Sequence, residues 1–195
     1  MPADRHPSQE LHAAYRTGDT SPGTALALTV HAEICAVCRG DVQRFTPPAR
    51  GGHIGAGRGR AGQTSAAAVA GMQSPSIAEL RQSLWRWLSP GVRVAELHGA
   101  SGLGEAVYLL KLSPGRAIPA KGLSALGHVV VLAGGLQDDG ESYEPGDYLE
   151  AERQPLRRPS AARPDGSLCL IVTDGSWPGR GLSKLLAPLR GDEAD

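Results

Sequence analysis

The chain has 195 residues, with 20 Lys plus Arg against 20 Asp plus Glu, so it carries no formal net charge. That length excludes a large multidomain enzyme, and the charge balance excludes binding driven by a global basic or acidic field. The longest apolar runs, such as Val129 to Ala133, fall far short of the ~20 residues needed to cross a bilayer. The polar start Met1-Pro2-Ala3-Asp4-Arg5-His6 lacks the apolar core of a secretion signal, so a cytoplasmic location is expected.

Pro7 and Ser8 open the first helical pattern, in which Leu11, Ala14 and Tyr15 recur at helical spacing and Gly18 provides a stop. A second helical stretch follows Ser21-Pro22-Gly23 and runs through Leu26, Leu28 and Val30 toward Val42 and Phe45. Residues 1–46 thus form a helical unit, below the size that usually folds unaided, where a structural metal is physically useful. Residues 47–75 are rich in Gly, Ala and Arg, hold no acidic residue, and read as a flexible linker. His53 lies inside it and has no expected role.

The third segment, 76–195, opens with one more expected short amphipathic helix through Ile77, Leu80, Leu84, Trp85 and Leu88, ended by Ser89-Pro90-Gly91. Strand signals then take over at Val92-Arg93-Val94, Ala106 to Leu112, Gly127 to Gly134 and Ser167 to Val172. Ser113-Pro114-Gly115, Asp138-Asp139-Gly140 and Glu144-Pro145-Gly146-Asp147 separate them with tight-turn chemistry. Short strands without intervening helices indicate an antiparallel sandwich or barrel. Leu182 to Leu189 reads as a short closing helix, before an acidic tail.

The sharpest chemical feature is His31-x-x-x-Cys35-x-x-Cys38, with His6 near the start of the chain. On a continuous helix, positions 31, 35 and 38 share a sector of about 60°, but seven residues rise about 10.5 Å, so the helix must bend or end near Cys38. His6, brought back by the first helix, completes a tetrahedral Cys₂His₂ site of the kind that binds zinc; His12, on the same helix, is the alternative fourth ligand. A redox role for the Cys-x-x-Cys pair lacks the βαβ context such pairs use. Cys169, in an apolar strand, reads as a buried small hydrophobe.

His6-Pro7-Ser8, Leu11, Ala14, Tyr15 and Gly18, followed by His31-x-x-x-Cys35-x-x-Cys38-Arg39, resemble the zinc-binding anti-sigma domain of the ChrR family of transcriptional regulators. Trp85, Pro90-Gly91-Val92, Pro114 to Pro119, Val131 to Gly134 and Pro145-Gly146-Asp147 resemble that family's C-terminal cupin barrel. The resemblance implies an α + β two-domain protein. A small zinc-stabilised helical domain, a Gly-rich linker and an all-β double-stranded β-helix would follow one another. It implies zinc ligands His6, His31, Cys35 and Cys38, an extracytoplasmic-function sigma factor as partner, and release of sigma on an oxidative signal. Apolar helix faces including Leu11, Tyr15, Leu26 and Phe45 would meet sigma. No direct DNA binding and no membrane contact are implied; self-association through the barrel stays open.

Metal-binding cupins of this family carry two histidines, a glutamate and a further histidine, and this chain departs from that pattern. Alignment on Arg116-Ala117-Ile118-Pro119 and Val131-Leu132-Ala133-Gly134 puts Lys121, Leu123 and Gly127 at the first three positions and Arg157 or Arg158 at the fourth. Leu and Gly offer no side-chain donor and Arg stays protonated, so a barrel without metal is expected. Lys121, Arg157 and Arg158 make either an anion pocket or a plain cationic rim. Strand alternation turns His128 away from the glutamate position. No nucleophile elbow, phosphate loop or matched carboxylate pair supports an enzyme. The rival reading is a cupin-type small-molecule binder or enzyme with a small zinc docking module.

Overall fold

The computed structural model describes residues 5–44, 85–97, 104–162 and 164–174. The expected linker, His53, Phe45, the stretch from Ile77 to Leu84 and the C-terminal helix and tail lie outside the described residues.

Three helices come first. α1 (Gln9–Thr17) starts where Ser8 Oγ accepts the Leu11 amide at 3.2 Å, and it ends at Gly18, whose φ of 78° closes the helix in a left-handed cap. α2 (Pro22–Ile34) follows the Ser21 cap with proline in its first turn. α3 (Ala36–Arg44) follows with a single residue between it and α2. The break falls at Cys35, in extended conformation with φ −91° and ψ 112°, rather than near Cys38. The Cys35 amide still donates to the His31 carbonyl, while its own carbonyl accepts the Arg39 amide. One residue thereby finishes α2 and starts α3.

Among the described residues that follow are nine strands and a one-turn helix: β1 (Arg86–Ser89), β2 (Val92–Glu96), β3 (Ala106–Leu112), α4 (Ala120–Leu123), β4 (Leu126–Gly134), β5 (Leu136–Asp138), β6 (Glu141–Tyr143), β7 (Tyr148–Glu150), β8 (Ser160–Ala161) and β9 (Ser167–Thr173). They form an antiparallel sheet of six strands in the order β1-β2-β3-β9-β4-β7 and one of three in the order β6-β5-β8. The helix expected to end at Ser89 is not formed there. Arg86 to Ser89 instead pairs as an edge strand with β2 across Pro90-Gly91. Trp87 is two-thirds exposed on that edge, with the Arg93 guanidinium 5.3 Å from its ring centroid.

Both faces of the central strands are buried. Val94, Leu110, Leu112, Val129, Val131, Cys169 and Ile171 join Leu136, Tyr143 and Ala161 of the smaller sheet in one apolar interior. The alternate residues Val107, Leu109, Val130, Leu132, Leu170 and Val172 point the other way, where Leu26, Ala27, Leu28 and Val30 of α2 cover them. This double burial explains why the strand sequences read as almost unbroken apolar runs. It also explains why α2 is apolar around nearly its whole circumference, buried from Gly23 through Ala32 apart from Thr29.

Gly23 permits the close approach of α2. A Cβ there would lie 2.6 Å from Val107 Cγ2 and 2.7 Å from Glu105 Oε2. Glu105 accepts from the Gly23 amide at 2.9 Å and from the hydroxyls of Ser21 and Thr24, so a carboxylate of the β region caps the helix that lies on it. Leu26 is consequently committed to the layer over the sheet rather than available at the surface, and Leu11 and Tyr15 pack partly against that layer. The expectation of a free sigma-facing Leu26 is corrected in this arrangement.

Candidate metal centre

Four donors converge at the end of α2. His31 sits in its last turn and is fully buried; Cys35 is the junction residue, and Cys38 lies in the first turn of α3. His6 reaches them from the extended segment before α1. One ligand atom from each of His6, His31, Cys35 and Cys38 falls within 4.8 Å of all the others. His6 Nδ1 is 3.4 Å from Cys35 Sγ and 3.5 Å from Cys38 Sγ. Zinc with Zn–N near 2.0 Å and Zn–S near 2.3 Å defines a tetrahedron with N–S edges of about 3.5 Å, which the two His6–sulfur separations match. His12 Nε2 is 3.7 Å from Cys38 Sγ, beside the cluster but outside the converging four.

The state of His31 fits ligation. Its Nδ1 lies 2.7 Å from the Gly146 carbonyl oxygen, which can only accept, so Nδ1 carries the hydrogen and Nε2 bears the lone pair. Nε2 is buried with no hydrogen-bond partner. Burial pushes the imidazole pKa down to about 4, opposed by the bond to Gly146, so the ring is neutral at pH 7. A neutral imidazole that donates through one nitrogen and presents the other is the usual arrangement of a histidine on a metal. The donor set of two imidazoles and two thiols suits zinc.

The segment carrying His6 is strapped to β7. The Tyr148 amide donates to the Arg5 carbonyl at 3.1 Å, the Arg5 amide donates to Asp147 Oδ1 at 3.1 Å, and the Ser8 amide donates to Glu150 Oε1 at 2.6 Å. The Arg5 guanidinium pairs with Glu141 at 2.6 Å and lies 4.3 Å from the Tyr143 ring centroid. Nothing in the sequence pointed to these pairings: each partner lies more than 130 positions from the residue it holds, and Pro145-Gly146-Asp147 read as a turn and a cupin-barrel motif without pointing to the His6 segment.

The cupin positions are distributed differently. Lys121 and Leu123 belong to α4, and Leu123 packs partly against the apolar interior. Gly127 is half-buried on β4, where a Cβ would meet the Val172 carbonyl oxygen at 3.5 Å. Arg157 is exposed, paired with Asp139 at 3.3 Å, and its amide and that of Arg158 donate to the buried Asp138 carboxylate. His128 packs against Tyr148 on the α2 side of the sheet, 5.7 Å between rings. Burial pushes the Cys169 thiol up to about 12, so it is an inert part of the interior.

A helix-covered antiparallel β fold with a Cys₂His₂ cluster at the helix end is the class that these features define. The family profile described as "ChrR Cupin-like domain" matches residues 73–176, more than half of the sequence. The chain therefore belongs to the ChrR cupin-like family. It is 27% identical over 202 residues to the anti-sigma-E factor ChrR of Cereibacter sphaeroides, across 89% of this chain and 91% of that protein. The crystal structure of Rhodobacter sphaeroides SigE in complex with the anti-sigma ChrR superposes with a TM-score of 0.62 at 23% identity, covering 88% of this chain and 99% of that one, and shows the shared fold. Among the described residues, no helix is long and apolar enough to cross a membrane.

Proposed function

We propose that this chain is a zinc-dependent anti-sigma factor that sequesters an extracytoplasmic-function sigma factor in the cytoplasm, a regulator rather than an enzyme. The observation that carries the reading is the convergence of His6, His31, Cys35 and Cys38, in a chain resembling an anti-sigma factor over nearly its whole length. Bound there, zinc supplies a cross-link among the His6 segment, the end of α2 and the start of α3. Residues 1–46 are the sigma-binding helical domain, 47–75 the linker, and 76–195 a double-stranded β-helix. Its former metal positions, Lys121, Leu123, Gly127 and Arg157, no longer coordinate. Because α2 is covered by the sheet, sigma meets the outer side of the helices, where Val37 on α3 is 68% exposed.

Release would act at the thiolates. A metal-bound cysteine is already in its nucleophilic form, so oxidation of Cys35 or Cys38 removes a ligand and loosens the helices it joins. In the test, Cys35→Ser and wild type are assayed for zinc by elemental analysis and for inhibition of transcription by a co-purified extracytoplasmic-function sigma factor. The expected outcome is joint loss of zinc and inhibition in the variant. Full inhibition by a zinc-free Cys35→Ser chain would refute the mechanism.

A further inference from the structure

From the contacts of the metal cluster with the sheet, we infer that β7 and the turn before it are the outer support of the metal centre: Gly146, Asp147 and Glu150 are positioning groups that make metal retention and helix docking one coupled equilibrium. The inference rests on the zinc reading above and extends it to residues more than a hundred positions away from the ligands.

The argument runs through both histidines. His31 Nδ1 donates to the Gly146 carbonyl, so the turn selects the tautomer that leaves the buried Nε2 with its lone pair available to the donor cluster. That carbonyl is aimed by a turn that Asp147 ties together: Asp147 Oδ2 accepts the Glu144 amide at 2.9 Å, and the Asp147 amide returns to the Glu144 carbonyl at 3.0 Å. Gly146 has φ +101°, a backbone conformation open to glycine and strained for other residues, so the carbonyl orientation is written into the sequence. The other oxygen of Asp147 accepts the Arg5 amide, one residue before His6, and Glu150 accepts from the Ser8 amide and hydroxyl, two residues after it. His6 is thus held between an anchor in the turn and an anchor on β7, while His31 is held by the same turn. Asp147 is buried and joins both halves.

Outer groups of this kind fix the orientation of a metal-bound imidazole, and their loss typically weakens metal affinity by about 10–100-fold without changing the ligands. Coupling is reciprocal: if the strap strengthens metal binding, metal binding strengthens the strap by the same factor.

Full-length wild type, Asp147→Ala, Asp147→Asn and Glu150→Ala would be titrated with Co(II) and with zinc against a chelator of known affinity. Wild type should show the visible absorption of tetrahedral Co(II) bound by two thiolates. Asp147→Ala and Glu150→Ala should keep the shape of that spectrum while zinc affinity falls by roughly 10-fold or more. Asp147→Asn, which keeps one carbonyl acceptor, should recover part of the loss. Wild-type affinity in both alanine variants would overturn the inference. A wild type that binds neither metal would instead overturn the zinc reading on which it rests. Should an alanine variant fail to fold, amide exchange on the wild-type chain still decides. Chelation should speed exchange of the Tyr148 amide, which donates to Arg5, and leave that of Val131, which donates to Asp147, unchanged. Equal protection of Tyr148 with and without zinc would refute the coupling.

Discussion

Both faces of the six-stranded sheet bury apolar side chains and serve different ends. The inner face closes on the smaller sheet, with Leu110, Val131, Cys169 and Ile171 in an interior of aliphatic and tyrosine side chains. The outer face, Leu109, Val130, Leu132 and Leu170, is closed by α2, whose last turn carries His31. The converging donors lie outside, at the end of the helix that the outer face holds. The difference teaches that a layer covering a core can carry a donor cluster of its own, provided the cover is packed firmly enough to hold the donors in place.

That comparison is broken most severely by paired truncations. Leu109 and Leu110 are adjacent on β3, both with no exposed surface, one facing α2 and the other facing the interior. If α2 is an integral wall, Leu109→Ala and Leu110→Ala should each cost about 2–5 kcal/mol in denaturant unfolding. If α2 were a loosely tethered appendage, Leu109→Ala would behave as a surface change within roughly 0.5 kcal/mol while Leu110→Ala kept its full cost. Only the first outcome should also lower zinc affinity on the Leu109 side.

A smaller effect is expected at Gly23. Alanine raises helix propensity by about 1 kcal/mol, yet its methyl carbon would meet Val107 Cγ2 at 2.6 Å and Glu105 Oε2 at 2.7 Å. The overlap should win, because the Val107 methyl is fixed in a strand and overpacking typically costs about 1–3 kcal/mol. A net loss of stability in Gly23→Ala, read from urea unfolding, supports the close approach of helix and sheet. A net gain would show that α2 can stand away from β3.

Much of this was legible in the sequence because local rules governed it. Ser8 and Gly18 bound α1 as their cap chemistry requires, and the four expected ligands are the four that converge. The helical phase that suggested the cluster was only partly the cause: His31 and Cys35 do span one turn of α2, but Cys35 and Cys38 meet across the start of a new helix. Trp85 and Leu88 mimicked helical spacing in a segment too short to betray its period, and pairing with β2 across Pro90-Gly91 made it an edge strand. The unbroken run from Val129 to Leu132 announced burial on both faces without saying what lay on the second. The strap of Arg5 and Ser8 to Asp147 and Glu150 had no sequence signature, since long-range hydrogen bonds leave no period or spacing to read.

The finest distinction between the two faces is electrostatic. His128 lies on the α2 side of β4, opposite Glu150 in the β4–β7 register and against the ring of Tyr148. Burial lowers its pKa, while the nearby carboxylates of Glu150, Glu105 and Glu152 raise it less. The folded chain therefore resists protonation that the unfolded chain accepts near pH 6.5. As pH falls through that value the unfolded state gains a proton that the folded state refuses, so stability drops until the lower folded pKa is reached, and is constant below it. His128→Gln removes this contribution. The stability advantage of wild type over the variant should shrink as pH falls from 7 to 5, and protons taken up at the metal cluster cancel because both chains share it. Parallel stability curves over that range would mean that His128 is solvated, and that the outer layer is open at the β4–β7 edge.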